Sequence, residues 1–209
     1  MSMKRILILL IISCALSSGV DANNNIESYL KGRTDLSLDI GYLGIKTPNP
    51  FTWWTDNYRK NPLPYKFAPL QITWHRQATN VSGEGFLRGN WEYQASLVYT
   101  SIVDGPESRW GGFAGGVRYN FVSRDTQTIA PFVDFRVGAG GIDASGVKDG
   151  QEKDLTYTFL IGIGVRINYA ENAFITVQTL TQHISNGWAT NPSAGIDLTG
   201  FSVGWGFKL

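Results

Sequence analysis

Cysteine occurs once in the 209 residues and histidine twice. The single cysteine, Cys14, falls inside an N-terminal stretch that reads as a leader. The exported chain is therefore expected to hold no disulfide, no thiol nucleophile and no cysteine-based metal site. An excess of either charge is also missing, with 18 Lys and Arg against 17 Asp and Glu. Nothing in this balance points to a nucleic-acid partner. Beyond the leader no run of about twenty uninterrupted apolar residues occurs, which excludes helical membrane spans and leaves a closed barrel as the route into a bilayer.

What the chain does have suits that route. It carries 24 Gly, 7 Trp, 9 Tyr and 11 Phe; glycine relieves crowding in curved sheets, and aromatic girdles mark barrel interfaces. The start, Met-Ser-Met-Lys4-Arg5 followed by a short Ile/Leu core and small residues, has the form of a secretory signal and is too short to span a membrane. Val20-Asp21-Ala22 offers a cleavage site, so residues 1–22 are expected to be removed and 23–209 to form the barrel; a cut after Gly19 fits nearly as well. Ile11-Ile12-Ser13-Cys14 weakly resembles a lipoprotein box, but an integral barrel needs no lipid anchor. Loss of Lys4, Arg5 and Asp21 leaves a formally neutral chain.

Alternation of period two runs through most of the remainder and predicts strands. Near 35–44, Leu36, Leu38, Ile40 and Tyr42 oppose Ser37, Asp39 and Gly41; near 67–77, Leu70, Ile72 and Trp74 oppose Gln71, Thr73 and His75. Further runs lie at about 84–103, 109–122, 129–141 and 154–168. A seventh holds Ile175, Val177, Thr179, Thr181, His183 and Ser185 on one face, and the last runs from Asp197 to Leu209. The face opposite the apolar one is rich in Ser, Gly and charge rather than large hydrophobes. That pattern predicts an all-β, eight-stranded antiparallel transmembrane barrel of the bacterial outer membrane, apolar outside. With the first strand running outward, the outer loops are 45–66, 104–108, 142–153 and 187–195, and the inner turns are shorter.

The last hairpin carries the chemistry. His183 and Ser185 leave the same face of one strand, about 6.5–7 Å apart at Cα. Pairing that is symmetric about Thr190 sets His183 opposite Asp197, where facing Cβ atoms lie about 4.5–5.5 Å apart. All three residues fall on the lipid face, where polar groups are costly unless paired or functional. The implied chemistry is acyl transfer: Asp197 orients His183, His183 takes the Ser185 proton, and the alkoxide attacks an ester carbonyl. Asn186 is the leading candidate oxyanion donor, with the Gly187 backbone N–H and Ser193 as candidate partners. The competing reading is of ordinary polar residues at a strand end before an Asn/Pro/Gly turn.

The motif His183-Ile-Ser185-Asn186-Gly, with Asn191-Pro192-Ser-Ala-Gly195-Ile196-Asp197, resembles the PagL-type lipid A 3-O-deacylase family. The resemblance implies an eight-stranded outer-membrane barrel that removes the 3-linked acyl chain of lipid A. It acts on lipopolysaccharide in the outer leaflet, with no metal and no cofactor. On that reading His183 is the base, Ser185 the nucleophile and Asp197 the acid. Two departures stand out: Asp197 replaces the Glu of the family pattern, and the Asn after the Pro that is associated with the oxyanion hole is Ser193 here, with Asn191 before the Pro. Pairing of two copies in the membrane is compatible with the sequence.

Other polar features read as structural. His75, Glu92, Arg118, Asp134, Arg136, Arg166 and Lys208 map to the lumen side as a charge-paired filling rather than a pore. Phe51, Trp53, Trp54, Tyr58, Arg59, Lys60 and Tyr65 sit in the longest outer loop, placed to touch lipopolysaccharide or to anchor at the interface. Gly111-Gly112 and Gly115-Gly116 lie on a strand without a following helix, which argues against a phosphate loop. Two alternatives to the esterase stay open at this level: a non-catalytic barrel for adhesion or envelope integrity, and an acyltransferase.

Overall fold

The computed structural model describes residues 27–47, 64–124, 128–144, 147, 154–187 and 195–209. The expected leader, the aromatic loop segment 51–60 and Ser193 lie outside these residues. Eight antiparallel strands close into a barrel: β1 (Thr34–Lys46), β2 (Lys66–Gln77), β3 (Gly89–Asp104), β4 (Arg109–Phe121), β5 (Ile129–Ile142), β6 (Leu155–Ala170), β7 (Ala173–Ser185) and β8 (Ile196–Lys208). Each pairs with its sequence neighbours, and β1 meets β8 from Asp35↔Lys208 to Lys46↔Leu198. Closure removes both free edges, so every strand finds its backbone partners within the sheet.

Alternation places the side chains as expected. Leu36, Leu38, Ile40, Leu70, Ile72, Trp91, Leu97, Phe113, Val133, Ile163, Val203 and Trp205 stand exposed on the exterior. Two local departures have physical causes. The third strand begins at Gly89 rather than near 84, because Gly83 and Gly85 adopt φ of +88° and +59° and turn the chain into a 3-10 turn at Gly85–Leu87. Leu87, expected on a strand, lies in that turn. On β1 the register slips between Leu43 and Ile45, opposite Gly200 and Thr199. Leu43, before the bulge, keeps the inward parity and is buried, whereas past it Ile45 is turned to the exterior.

The interior is layered. A charged middle joins Arg118 to Asp134 at 3.0 Å, Arg166 to Asp35 at 2.7 Å and His75 Nδ1 to Glu92 at 2.7 Å. The guanidiniums of Arg118 and Arg166 also stack over Phe132 and Phe174, at 3.8 and 3.7 Å. Sequence alternation predicted this paired filling. It did not predict the apolar layer towards the end where β7 stops and β8 starts, built from Leu43, Phe67, Trp110, Leu160, Leu180, Ile184, Ile196 and Leu198 among others. Tyr65, expected to lie in the outer loop against lipid, is instead buried in this layer, its hydroxyl donating to Glu107 at 2.7 Å. At the opposite end Tyr29 packs with Val122 and Ala130, and its hydroxyl accepts from Asn168 at 3.1 Å.

Just past β5, Asp143 ties the β3–β4 connection to the barrel. Burial raises its carboxyl, but the Ser108 hydroxyl and the backbone N–H groups of Ser108 and Arg109 donate to it and hold it below the ordinary carboxylate value. A depressed folded value means that the tie is complete at neutral pH and is lost as pH falls through that value. Protection of the Ser108 and Arg109 amides, measured against their intrinsic exchange rates, is expected to be high at pH 7 and to fall in acid. Asp143→Asn should abolish that pH dependence.

Candidate active site

The β7–β8 ladder aligns His183 with Asp197, as symmetric pairing about Thr190 requires. His183 Nδ1 lies 2.8 Å from Asp197 Oδ1, and His183 Nε2 lies 2.9 Å from Ser185 Oγ. A carboxylate only accepts, so Nδ1 carries the ring proton and Nε2 is left to accept from the serine hydroxyl. The order carboxylate, imidazole, hydroxyl is that of a nucleophilic acyl-transfer relay. Ser185 is half-buried at the strand end, while His183 and Asp197 are each only 7% exposed. These two residues are on the exterior face yet covered, which alternation alone does not reveal.

Neighbouring strands explain the cover and the rigidity. On β6, Phe159 pairs with His183 and Tyr157 with Ser185. The Phe159 ring lies 5.6 Å from the imidazole and stacks on Phe135 at 6.4 Å. Thr158 donates to the His183 carbonyl at 2.8 Å. From the inside, Ile184 lies between His183 and Ser185 in sequence, and Ile196 and Leu198 flank Asp197; all three are anchored in the apolar layer. The relay therefore rests on two strands whose inward side chains are packed, the support that a preorganised site needs.

The remaining candidates are placed differently. Asn186 follows Ser185 just past the end of β7 and is buried, 3% exposed. Gly187 is exposed with φ of +65°, and a Cβ there would meet the Tyr157 ring at 2.9 Å. Sequence reasoning did not single out Gly195 beyond its place in the motif. A Cβ on Gly195 would come within 2.7 Å of His183 Cε1, so the ring occupies space that only glycine leaves open.

A second serine–histidine contact lies inside the barrel, Ser37 Oγ to His75 Nε2 at 2.9 Å. Ser37 directs its hydroxyl to Asp39 Oδ2 at 2.7 Å, and both Ser37 and His75 are sealed in the charged lumen. A nucleophile there has no route to a substrate, so this contact belongs to the structural network, as expected for His75. Among the described residues no group of three or more His, Cys, Asp or Glu is arranged to hold a metal ion.

A closed eight-stranded barrel with an apolar exterior and a serine–histidine–carboxylate array on its outer wall defines a membrane-barrel protein with hydrolase geometry. The profile of the family described as Lipid A 3-O-deacylase (PagL) matches residues 68–206. The chain belongs to that family: it is a hydrolase-family barrel of the bacterial outer membrane. Among solved structures, that of the outer membrane enzyme PagL is similar at 18% identity and a TM-score of 0.52, over 84% of this chain and 99% of that one. The N-terminal β-barrel domain of Pseudomonas aeruginosa OprF aligns at 13% identity and a TM-score of 0.45, over 85% and 98% of the two chains. No curated protein sequence matches.

Proposed function

We propose that the chain is a serine esterase that removes the 3-linked (hydroxy)acyl chain of lipid A, with Ser185 as nucleophile, His183 as base and Asp197 as the orienting acid. The continuous Asp197–His183–Ser185 hydrogen-bonded array on the lipid-facing wall carries this reading. Family membership supports the substrate class. His183 Nε2 takes the hydroxyl proton as Ser185 Oγ bonds to the ester carbonyl carbon. The tetrahedral intermediate collapses, and His183 returns the proton to the departing sugar oxygen. Water then gives its proton to His183 and attacks the acyl-enzyme, releasing the fatty acid and restoring Ser185. Asp197 keeps the imidazole in the required tautomer throughout. Of the oxyanion donors expected from sequence, Gly187 sits exposed near Ser185, Asn186 is buried directly after it, and Ser193 lies outside the described residues.

On this reading the expected leader, residues 1–22, exports the chain, and an outward-running β1 sets the site at the outer leaflet, where lipopolysaccharide resides. The deciding experiment is mass spectrometry of lipid A from envelopes expressing the chain or its Ser185→Ala variant at equal abundance. Loss of one hydroxyacyl mass with release of free fatty acid, only when Ser185 is present, is the expected result. Transfer of the acyl group to another lipid would instead make the protein an acyltransferase.

Ring placement supplies a further check. Gly195→Ala must push the His183 imidazole by a few tenths of an ångström, since its new methyl would stand 2.7 Å from Cε1. Turnover is expected to fall about ten- to a hundredfold, because small misplacements of catalytic groups are costly. The barrel should still fold, which heat-dependent gel mobility would report.

A further inference from the structure

Between β2 and β3 the chain reads Val81-Ser82-Gly83-Glu84-Gly85-Phe86-Leu87-Arg88, at the end of the barrel opposite the catalytic array. Gly83 and Gly85 take the left-handed φ that glycine permits, so the segment folds into a tight turn. Ser82 and Gly89 exchange backbone hydrogen bonds at 2.9 and 3.0 Å across its base. Arg88 ties the turn to the end of β4: its Nη1 donates to the Val122 carbonyl at 2.7 Å, and the Val122 N–H donates to the Arg88 carbonyl at 2.9 Å. Val81 packs against Tyr29, Val122 and Ala130. The turn is thus fixed from several sides. Yet Phe86 is 82% exposed, more than any other large apolar side chain among the described residues, and Leu87 is 57% exposed.

This turn leans on the exterior wall. The Tyr119 hydroxyl, from the outward face of β4, donates to the Leu87 carbonyl. A Cβ on Gly89 would meet the Tyr119 ring at 2.8 Å, so that ring lies directly against the backbone that leaves the turn. Tyr119 also packs edge-on with Trp91 and with Phe121, each at 5.0 Å between ring centroids. Phe86 and Leu87 therefore adjoin an aromatic belt of the kind that marks one boundary of a membrane-facing surface. In water, two large apolar side chains would stay solvated on a turn too constrained to fold them away.

We propose that the turn is a membrane foot: Phe86 and Leu87 dock among the acyl chains just beneath the phospholipid headgroups, in the leaflet at the end of the barrel opposite the catalytic array. The occupant is lipid rather than a protein, because the patch adjoins the wall that lipid already covers and extends the same aromatic surface. Ser82 and Glu84, exposed on the same turn, stay at headgroup level. Since the turn is hydrogen-bonded to β4 and the barrel is closed, seating it fixes how deep the whole barrel sits. The inference is independent of the esterase reading.

Cys14, the only cysteine, lies in the expected leader, so one cysteine can be placed in the exported chain without removing another. Phe86→Cys, Ser82→Cys and Leu97→Cys, each carrying an environment-sensitive fluorophore, are compared in phosphatidylcholine vesicles. Quenching is read with iodide on both sides of the bilayer, and separately with a lipid bearing a nitroxide near its headgroup. Leu97, 67% exposed on the wall of β3, is the reference for full protection from iodide. The Phe86 label is expected to emit to the blue of the Ser82 label, to be quenched by the nitroxide lipid, and to be quenched several-fold less by iodide than the Ser82 label. Heat-dependent gel mobility verifies that each variant is folded. Iodide quenching that is equal at Phe86 and Ser82 overturns the foot. If both are strong the turn stands in water, and if both are weak the dye inserts wherever it is attached.

Discussion

Ser185→Ala is expected to lower turnover by at least about a thousandfold while leaving the barrel intact, since removing the nucleophile of such an array leaves only binding and oxyanion stabilisation. Asp197→Asn tests a different part of the same geometry. The amide keeps the shape but donates where a carboxylate accepted, so it faces Nδ1 with a proton and turns the imidazole to the wrong tautomer. A fall of about 10³–10⁴-fold is expected, with little change in substrate affinity. Single-turnover kinetics on micellar lipid A would separate the two variants, because only the asparagine variant can still form acyl-enzyme, slowly. Near-normal rates from either would remove the array from the mechanism. The pairing also accounts for aspartate where the family pattern has glutamate: directly opposite in the ladder, the shorter side chain already reaches Nδ1 at 2.8 Å.

Arg166→Met is expected to be the most damaging change to stability among the lumen residues. Its guanidinium is fully buried, ion-pairs with Asp35 at 2.7 Å, approaches Glu92 at 3.8 Å and covers the Phe174 ring at 3.7 Å. Methionine fills much of the volume but leaves the buried Asp35 carboxylate without its cation, while Glu92 retains His75 and Arg118. Breaking a buried pair in this way costs about 3–5 kcal/mol. Urea titration of the barrel in lipid vesicles, followed by tryptophan fluorescence, would measure it. Removing the acid as well, in Asp35→Asn/Arg166→Met, should recover part of the loss, because the orphaned charge rather than the absent contact dominates. A double variant no better than the single would contradict this account.

Much of the architecture was legible because lipid on one side and a narrow lumen on the other force strict alternation, and alternation survives in single residues such as Leu36 to Tyr42. The register of the last hairpin was legible for a related reason: a ladder that pairs about Thr190 leaves His183 only Asp197 to face. Features set by backbone detail were not legible. The bulge between Leu43 and Ile45 and the turn at Gly85–Leu87 depend on local φ and ψ, which hydrophobic patterning does not encode. The burial of His183 and Asp197 was equally hidden, since it depends on Phe159 and Gly195 reaching them in space.

The array stands on the exterior wall of the barrel and not in its lumen. For the proposed esterase, encounter with a lipid substrate is therefore a collision in two dimensions. The rate responds to the mole fraction of substrate among surrounding amphiphiles, not to its bulk molarity. Adding inert detergent at fixed substrate slows the reaction by surface dilution alone, so catalytic constants for this protein acquire meaning only per unit of interface.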